Sequence, residues 1–249
     1  MRSTISTSVF AVALLLWPSL AHPAAAQSDR RFAVGINGGV QTGATRLTDH
    51  FEFESNVETA TVDVTYPAKA AVLIDGNVVV RLWKHLGAGV AVSQTTRDGA
   101  AEVDASIPHP LLFQQPRTVT GSQSGISDAQ TGVHFQLSYA VAVTPRVIVT
   151  LSGGPSYVHV SQDLVTDVNY NESYPYDTVA FTSAPTERIT AGAVGFNTGG
   201  DVSWMFARSF GIGGMVRYTR ATVDLASGDR TISVQAGGVQ AGGGIRVVF

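Results

Sequence analysis

Within "YVHVSQD" (Tyr157–Asp163), His159 and Ser161 stand two residues apart, and Asp163 follows two further on. A serine nucleophile, a histidine base and an acid that orients the histidine are the parts of a hydrolytic site. Asp163 and Glu172 are the acids at hand. Two residues at that spacing arise readily by chance, so hydrolysis is the minor alternative. Five other charges invite ion pairing. Asp75, Arg81, Asp201, Arg217 and Arg246 interrupt segments that are otherwise apolar and alternating. Arg217 is expected to pair with Asp201, with an extension to Asp75. Arg81 and Arg246 form a second layer. His134 shares their parity and reads as a satisfied polar residue rather than a ligand. No metal-ligand cluster, phosphate loop or dinucleotide fingerprint occurs, and no spaced calcium motif occurs in the acidic stretches. No metal, no cofactor and no enzymatic activity are expected.

The elements that carry these residues are read from period-2 alternation. Eight segments show it: 31–42, 72–83, 86–96, 132–143, 147–160, 193–206, 210–221 and 233–249. In each, one parity is apolar and the other is small or polar. "KHLG", "TPR" and "ARS" make short connections after the second, fourth and sixth. The stretches 43–71, 97–131, 161–192 and 222–232 are long. Short turns at one end, long loops at the other and an even strand number mark an outer-membrane barrel. The expected fold is all-β: an eight-stranded antiparallel up-and-down transmembrane β-barrel with short periplasmic turns and four long outer loops.

Physics separates this from a soluble barrel or sandwich. A soluble lipocalin-like barrel would put its apolar parity inside, and a dry core has no place for Asp75, Arg81, Asp201, Arg217 and Arg246. The charged parity is costly to bury without partners, and the other is continuously apolar. With the charged parity facing a lumen and the apolar parity facing lipid, the conflict disappears. A sheet in hydrocarbon must also close to pair every backbone group. Trp83, Phe206, Phe210 and Phe249 lie near the short turns, and Tyr157, Phe196 and Tyr218 near the loops. Aromatic girdles of this kind mark the two interfaces.

The chain of 249 residues has a net charge of −3 and no cysteine. Its bases are dispersed, so nucleic acid is not an expected partner. Arg2, the apolar run "VFAVALLLW" and the small residues Ala24 and Ala26 read as a signal peptide. Residues 1–26 are therefore expected to be removed by cleavage after Ala26, and residues 27–249 to form one barrel domain in the cell outer membrane.

The run Val239, Ala241, Gly243, Ile245, Val247, Phe249 resembles the closing strand of bacterial outer-membrane proteins. Across the mature chain the pattern resembles the small eight-stranded outer-membrane barrels of the OmpA-barrel and OmpX-like kind. The resemblance implies that Phe249 is an assembly signal for the barrel assembly machinery of a Gram-negative-type envelope. The chain stops at the barrel, where OmpA-like proteins continue into a peptidoglycan-binding domain, so cell-wall anchoring is not expected. A His-x-Ser pair at a barrel rim resembles the lipid A deacylases, without their surrounding motif.

An eight-stranded barrel has an interior that side chains just fill. The lumen charges are thus expected to form a plug, with a porin-like channel for small solutes as the alternative. "FEFESNVETATVDVTYP" (Phe51–Pro67) alternates in its later half, so the first two strands are expected to project above the membrane. Leu111, Leu112 and Phe113, with Tyr170, Tyr174 and Tyr176, are the candidate loop surface for an extracellular ligand. The expected role is structural or surface-interacting, as a monomer surrounded by outer-membrane lipid.

Overall fold

A computed structural model describes residues 31–43, 46–228 and 230–249. The expected signal segment and its cleavage point lie outside the described residues. The strands are β1 (Phe32–Thr42), β2 (Leu47–Ser55), β3 (Glu58–Tyr66), β4 (Ala71–Trp83), β5 (Leu86–Ile107) and β6 (Arg117–Ala142). They continue with β7 (Val147–Val165), β8 (Asn169–Glu172), β9 (Val179–Ser183), β10 (Thr186–Met205), β11 (Phe210–Ser227) and β12 (Arg230–Val248). Eight of them close an antiparallel ring in the order β1, β4, β5, β6, β7, β10, β11, β12 and back to β1. At the seam, the Phe32 N–H donates to the Phe249 carbonyl at 2.9 Å, and the two rings stack at 5.9 Å.

Alternation puts Ile36, Val78, Val90, Leu137, Leu151, Val202, Ile212, Val216 and Ile245 on the outer surface of the ring, exposed. Trp83, Trp204, Phe206 and Phe210 rim the short-turn end, and Tyr157, Phe196 and Tyr218 the other. From Phe196 to Phe206 at about 3.3 Å per residue, on a strand tilted by about 40°, the band is roughly 25 Å tall. That is the height of an outer-membrane hydrocarbon layer, and the chain is a transmembrane barrel.

Above that band the strands do not stop, and their polarity inverts. On β11, Ile212, Val216 and Tyr218 face outward over Arg217 and Thr219 within. Beyond Tyr218 it is Arg220, Thr222 and Asp224 that face outward, over buried Ala221, Val223 and Leu225. On β7 the inward set changes from Thr150, Ser152 and Ser156 to Val158, Val160 and Leu164. β6 achieves the same with a bulge. Gly99 pairs with Ile126 and Ala100 with Ser124, which leaves Gly125 unpaired at φ +79°. That backbone conformation suits glycine. The extra residue swaps the parity of β6, so that Val119 and Arg117 point inward.

The upper half is therefore a soluble-type β-cap with a dry core, which adds Val62, Val64, Val103, Ile107 and Val165. This corrects the strand and loop limits. Residues 97–107, 117–131, 161–165, 186–192, 222–227 and 230–232 are strand, so the outer connections are shorter than expected. Residues 58–66 do not prolong the first two barrel strands. They form β3, which pairs with β2 as a hairpin and with β5 as part of the cap. The third connection carries the small hairpin β8–β9.

Candidate functional site

The lumen of the membrane-embedded half is polar and continuously bonded. Asp75 on β4 accepts from Asn37 Nδ2 at 2.9 Å and from Arg217 Nη2 at 2.5 Å. Arg217 Nε donates to Gln240 Oε1 at 2.8 Å, and Gln240 Nε2 to Gln41 Oε1 at 2.7 Å. Gln41 reaches Gln130 Oε1 at 3.2 Å. Towards the short turns, Arg246 donates from Nη1 to Asn37 Oδ1 at 2.7 Å and from Nη2 to Asp201 Oδ2, while Ser203 donates to Asp201 Oδ1 at 2.5 Å. One network thus runs from Gln130 to Ser203. Asp75 and Arg217 are almost wholly buried, so each neutralises a charge that water cannot reach.

The expected Arg217–Asp201 pair is corrected, while the expected extension to Asp75 is the contact that forms. Arg217 bonds Asp75, and Asp201 bonds Arg246. Hairpin register sets Asp201 opposite Met215 and Arg217 opposite Gly199. The long Arg217 side chain crosses the lumen to β4 instead of turning to its neighbour. Arg246 lies over Gly213, where an added Cβ would come 2.9 Å from the Val202 carbonyl oxygen and 3.0 Å from the Arg246 Nε, so a larger residue would crowd it. Arg81 lines the same lumen nearer the short turns. His134 is fully buried, with Nδ1 at 2.8 Å from Ser156 Oγ and Nε2 at 2.9 Å from Ser93 Oγ. Three glutamines extend the network: Gln41 and Gln240 sit on the polar parity of their segments, whereas Gln130 falls in the stretch 97–131, which reads as a loop in the sequence.

Below the network a cavity of about 160 Å³ opens at the short-turn end, between Arg31, His85 and Val248. Directly above it, beside Thr219 and His134, lies a void of about 10 Å³, about one water's room. The cap core closes the barrel over it.

At the outer tip, Arg117 is a hub. It donates to Glu172 Oε2 at 2.6 Å, to the Tyr176 carbonyl at 2.9 Å and to the Pro108 carbonyl at 2.7 Å. His109 Nδ1 accepts from the Leu111 and Leu112 amides at 3.0 and 3.1 Å. These bonds hold Leu111, Leu112 and Phe113 out in solvent, with Phe113 73% exposed. Asn56 Nδ2 donates to the Pro108 carbonyl at 3.2 Å, which brings the β2–β3 turn and Val57 (91% exposed) beside them. Asn56, Val57, Gln114 and Tyr176 all have positive φ without being glycine. For β-branched Val57 this is a strained conformation. Tyr174 is exposed and meets half-buried Tyr176 edge-on at 6.0 Å. Tyr170 departs from the expected surface set. It belongs to β8 and packs against the cap core, with its hydroxyl 3.3 Å from Ser55 Oγ.

His159 and Ser161 both point outward from β7, and no hydrogen bond joins them among the described residues. Asp163 is engaged elsewhere. Arg188 Nε donates to it at 2.8 Å and the Ser127 amide at 3.0 Å. The Arg188 bond is the main reason its carboxyl is held below the usual range. Glu172 belongs to Arg117.

No family model and no curated protein matches the chain. Among solved structures it is similar to the outer membrane protein OprG from Pseudomonas aeruginosa, at 10% identity over 88% of this chain and 97% of that one, TM-score 0.49. It is also similar to Neisserial surface protein A, at 13% identity, 88% and 96% coverage and TM-score 0.43. The outer membrane protein AlkL is a third, at 11% identity, 94% and 97% coverage and TM-score 0.40. At these identities no residue's role carries over, and the assignment as an eight-stranded transmembrane barrel rests on the closed ring and its lipid-facing belt.

Proposed function

We propose that this protein is a non-conducting, non-catalytic outer-membrane barrel whose task is binding at its outer tip. On this reading the chain is exported through a cleaved signal peptide. The barrel is an anchor, the cap a rigid stalk, and Val57, Leu111, Leu112, Phe113 and Tyr174 the contact surface. One observation carries the reading: the inversion of side-chain polarity above the membrane. A conduit needs a wettable path from end to end. Here the polar lumen runs up against Val158, Val160, Leu164, Val223 and Leu225, all buried. What faces the exterior is an apolar crown held in strained turns, and such strain clusters where proteins bind. The disengaged His159 and Ser161 leave no support for hydrolysis at this rim.

Planar-bilayer recording of the refolded protein tests the reading, with folding checked by heat-modifiable gel migration. Silence is the expected result. Steady single-channel openings that change on Arg217→Ala would overturn it and make the lumen a solute pore.

A further inference from the structure

We infer that the crown takes a basic amphipathic polypeptide segment, one whose apolar side chains are flanked by lysine or arginine, an assignment that rests on the reading of the crown as the contact surface.

The apolar part of the crown is built to stay outside. Asn56 and Val57 are the two central residues of the β2–β3 turn, with φ of +53° and +67°. Two positive φ values make the tight hairpin turn that ordinarily takes Asn-Gly. Asn56 suits it, whereas a β-branched valine is disfavoured there. At 91% exposure Val57 buries almost nothing within its own chain. Leu111, Leu112 and Phe113 are held beside it by bonds from the Leu111 and Leu112 amides to His109 and from the Gln114 amide to Glu58. Large apolar side chains gathered in one exposed patch gain most from apolar surface on a partner.

The charge around this patch has one sign. Glu58 Oε1 accepts from the Gln114 amide at 3.0 Å, so its carboxylate sits beside the Phe113–Gln114 peptide. Asp177 Oδ1 lies 3.9 Å from His109 Nε2, at the base of the Leu111–Leu112 turn, with its side chain 72% exposed. Glu54 is exposed on β2, close to Val57. Glu172 is offset by Arg117, which is itself buried. The stretches that build the crown, 47–68, 98–116 and 166–187, contain no lysine or arginine. An acidic glycan, or the phosphates of a facing lipid surface, would meet like charge at this rim. A polypeptide with lysine or arginine beside its apolar residues meets apolar surface at the centre and opposite charge at the edge, as in protein interfaces.

The test uses the refolded protein in phosphatidylcholine nanodiscs, with empty discs as the blank. Its probes are fluorescent synthetic peptides of equal length: a Leu/Lys peptide of helical amphipathic pattern, a Leu/Glu peptide with glutamate for lysine, and a Ser/Lys peptide with serine for leucine. By fluorescence anisotropy the Leu/Lys peptide should bind saturably, and the other two at least about tenfold more weakly. Added sodium chloride should weaken Leu/Lys binding several-fold, because the rim charges are exposed. Phe113→Ser should weaken it by about tenfold. Glu54→Gln with Asp177→Asn should weaken it several-fold and remove most of the salt dependence. Lys84→Gln, in a short turn at the opposite end, should change nothing. The substituted side chains are all exposed, and heat-modifiable migration checks that each variant is folded. A Leu/Glu peptide that binds as tightly as Leu/Lys, with Phe113→Ser weakening both, would overturn the basic partner and leave the crown as an apolar contact surface. No saturable Leu/Lys binding would overturn it too, and phosphatidylglycerol vesicles that then attach through Phe113 would make the occupant a lipid surface. Leu/Lys binding undiminished by Phe113→Ser would overturn the crown itself as the contact surface, and the inference with it.

Discussion

Arg217 illustrates what residue identity could and could not specify. Its parity placed it in the lumen beside other charges. Hairpin register favours Asp201 over Asp75 as its main partner, but register describes where backbones lie, whereas an arginine reaches across a narrow barrel. Asp75, on the far wall, is the carboxylate it meets. Removing one member of a buried pair leaves the other charged and unsolvated, at a cost of about 3–5 kcal/mol. Arg217→Ala should therefore destabilise the barrel by that amount in urea unfolding from lipid vesicles. A double-mutant cycle identifies the partner. Arg217→Gln with Asp75→Asn should show a coupling of about 1–3 kcal/mol, and Arg217→Gln with Asp201→Asn a much smaller one. A larger coupling with Asp201 would mean that the bonding pattern described above is wrong.

At the scale of the element, the membrane strands were legible and their extensions were not, for one physical reason. Inside the bilayer the rule is apolar out and polar in. Above it the same period-2 signal continues with the rule reversed. In the sequence each strand signal ends where the apolar parity ends, at Thr96, Val160 and Ala221 among others. Val103, Leu164 and Val223 then looked like hydrophobic residues in loops. On β6 the phase also slips by one residue at Gly125, which hides the continuity further. The crown was legible as apolar loop tips because Leu111–Phe113 cluster in sequence. Its strained partner Val57 lies far away in the chain and was not. Gly125 is thus the point on which the β6 half of the cap depends. Gly125→Ala, forced to a positive φ, should cost about 1–2 kcal/mol. Deleting Gly125 should do far more, since it would turn Val119 outward and Thr118 and Thr120 into the core. Limited proteolysis of the inserted protein should then cut within residues 99–126, while the membrane-embedded strands stay protected. A deletion variant as resistant as the parent would show that the bulge does not set the parity of β6.

The whole molecule combines two barrels of opposite polarity on one set of strands, and this makes each height accessible from one side or from neither. A chain without cysteine lets that be mapped one thiol at a time. Four positions sample the axis. Phe113→Cys lies on the crown, Val160→Cys in the cap core, Ser138→Cys on the wall of the short-turn cavity and Ala207→Cys in a short turn. A small, membrane-impermeant thiol reagent is applied to intact cells and then to cells with a permeabilised outer membrane. Phe113→Cys should label in both. Ala207→Cys and Ser138→Cys should label only after permeabilisation, because both face the periplasm and the lumen above Ser138 is bonded shut. Val160→Cys should resist labelling in both until the protein is denatured, since its side chain meets neither water nor lipid. Labelling of Ser138→Cys in intact cells would mean that solutes descend through the cap, and the non-conducting reading would fall with it. Labelling of Ala207→Cys in intact cells, with Phe113→Cys silent, would mean instead that the barrel sits inverted and that its crown faces the periplasm.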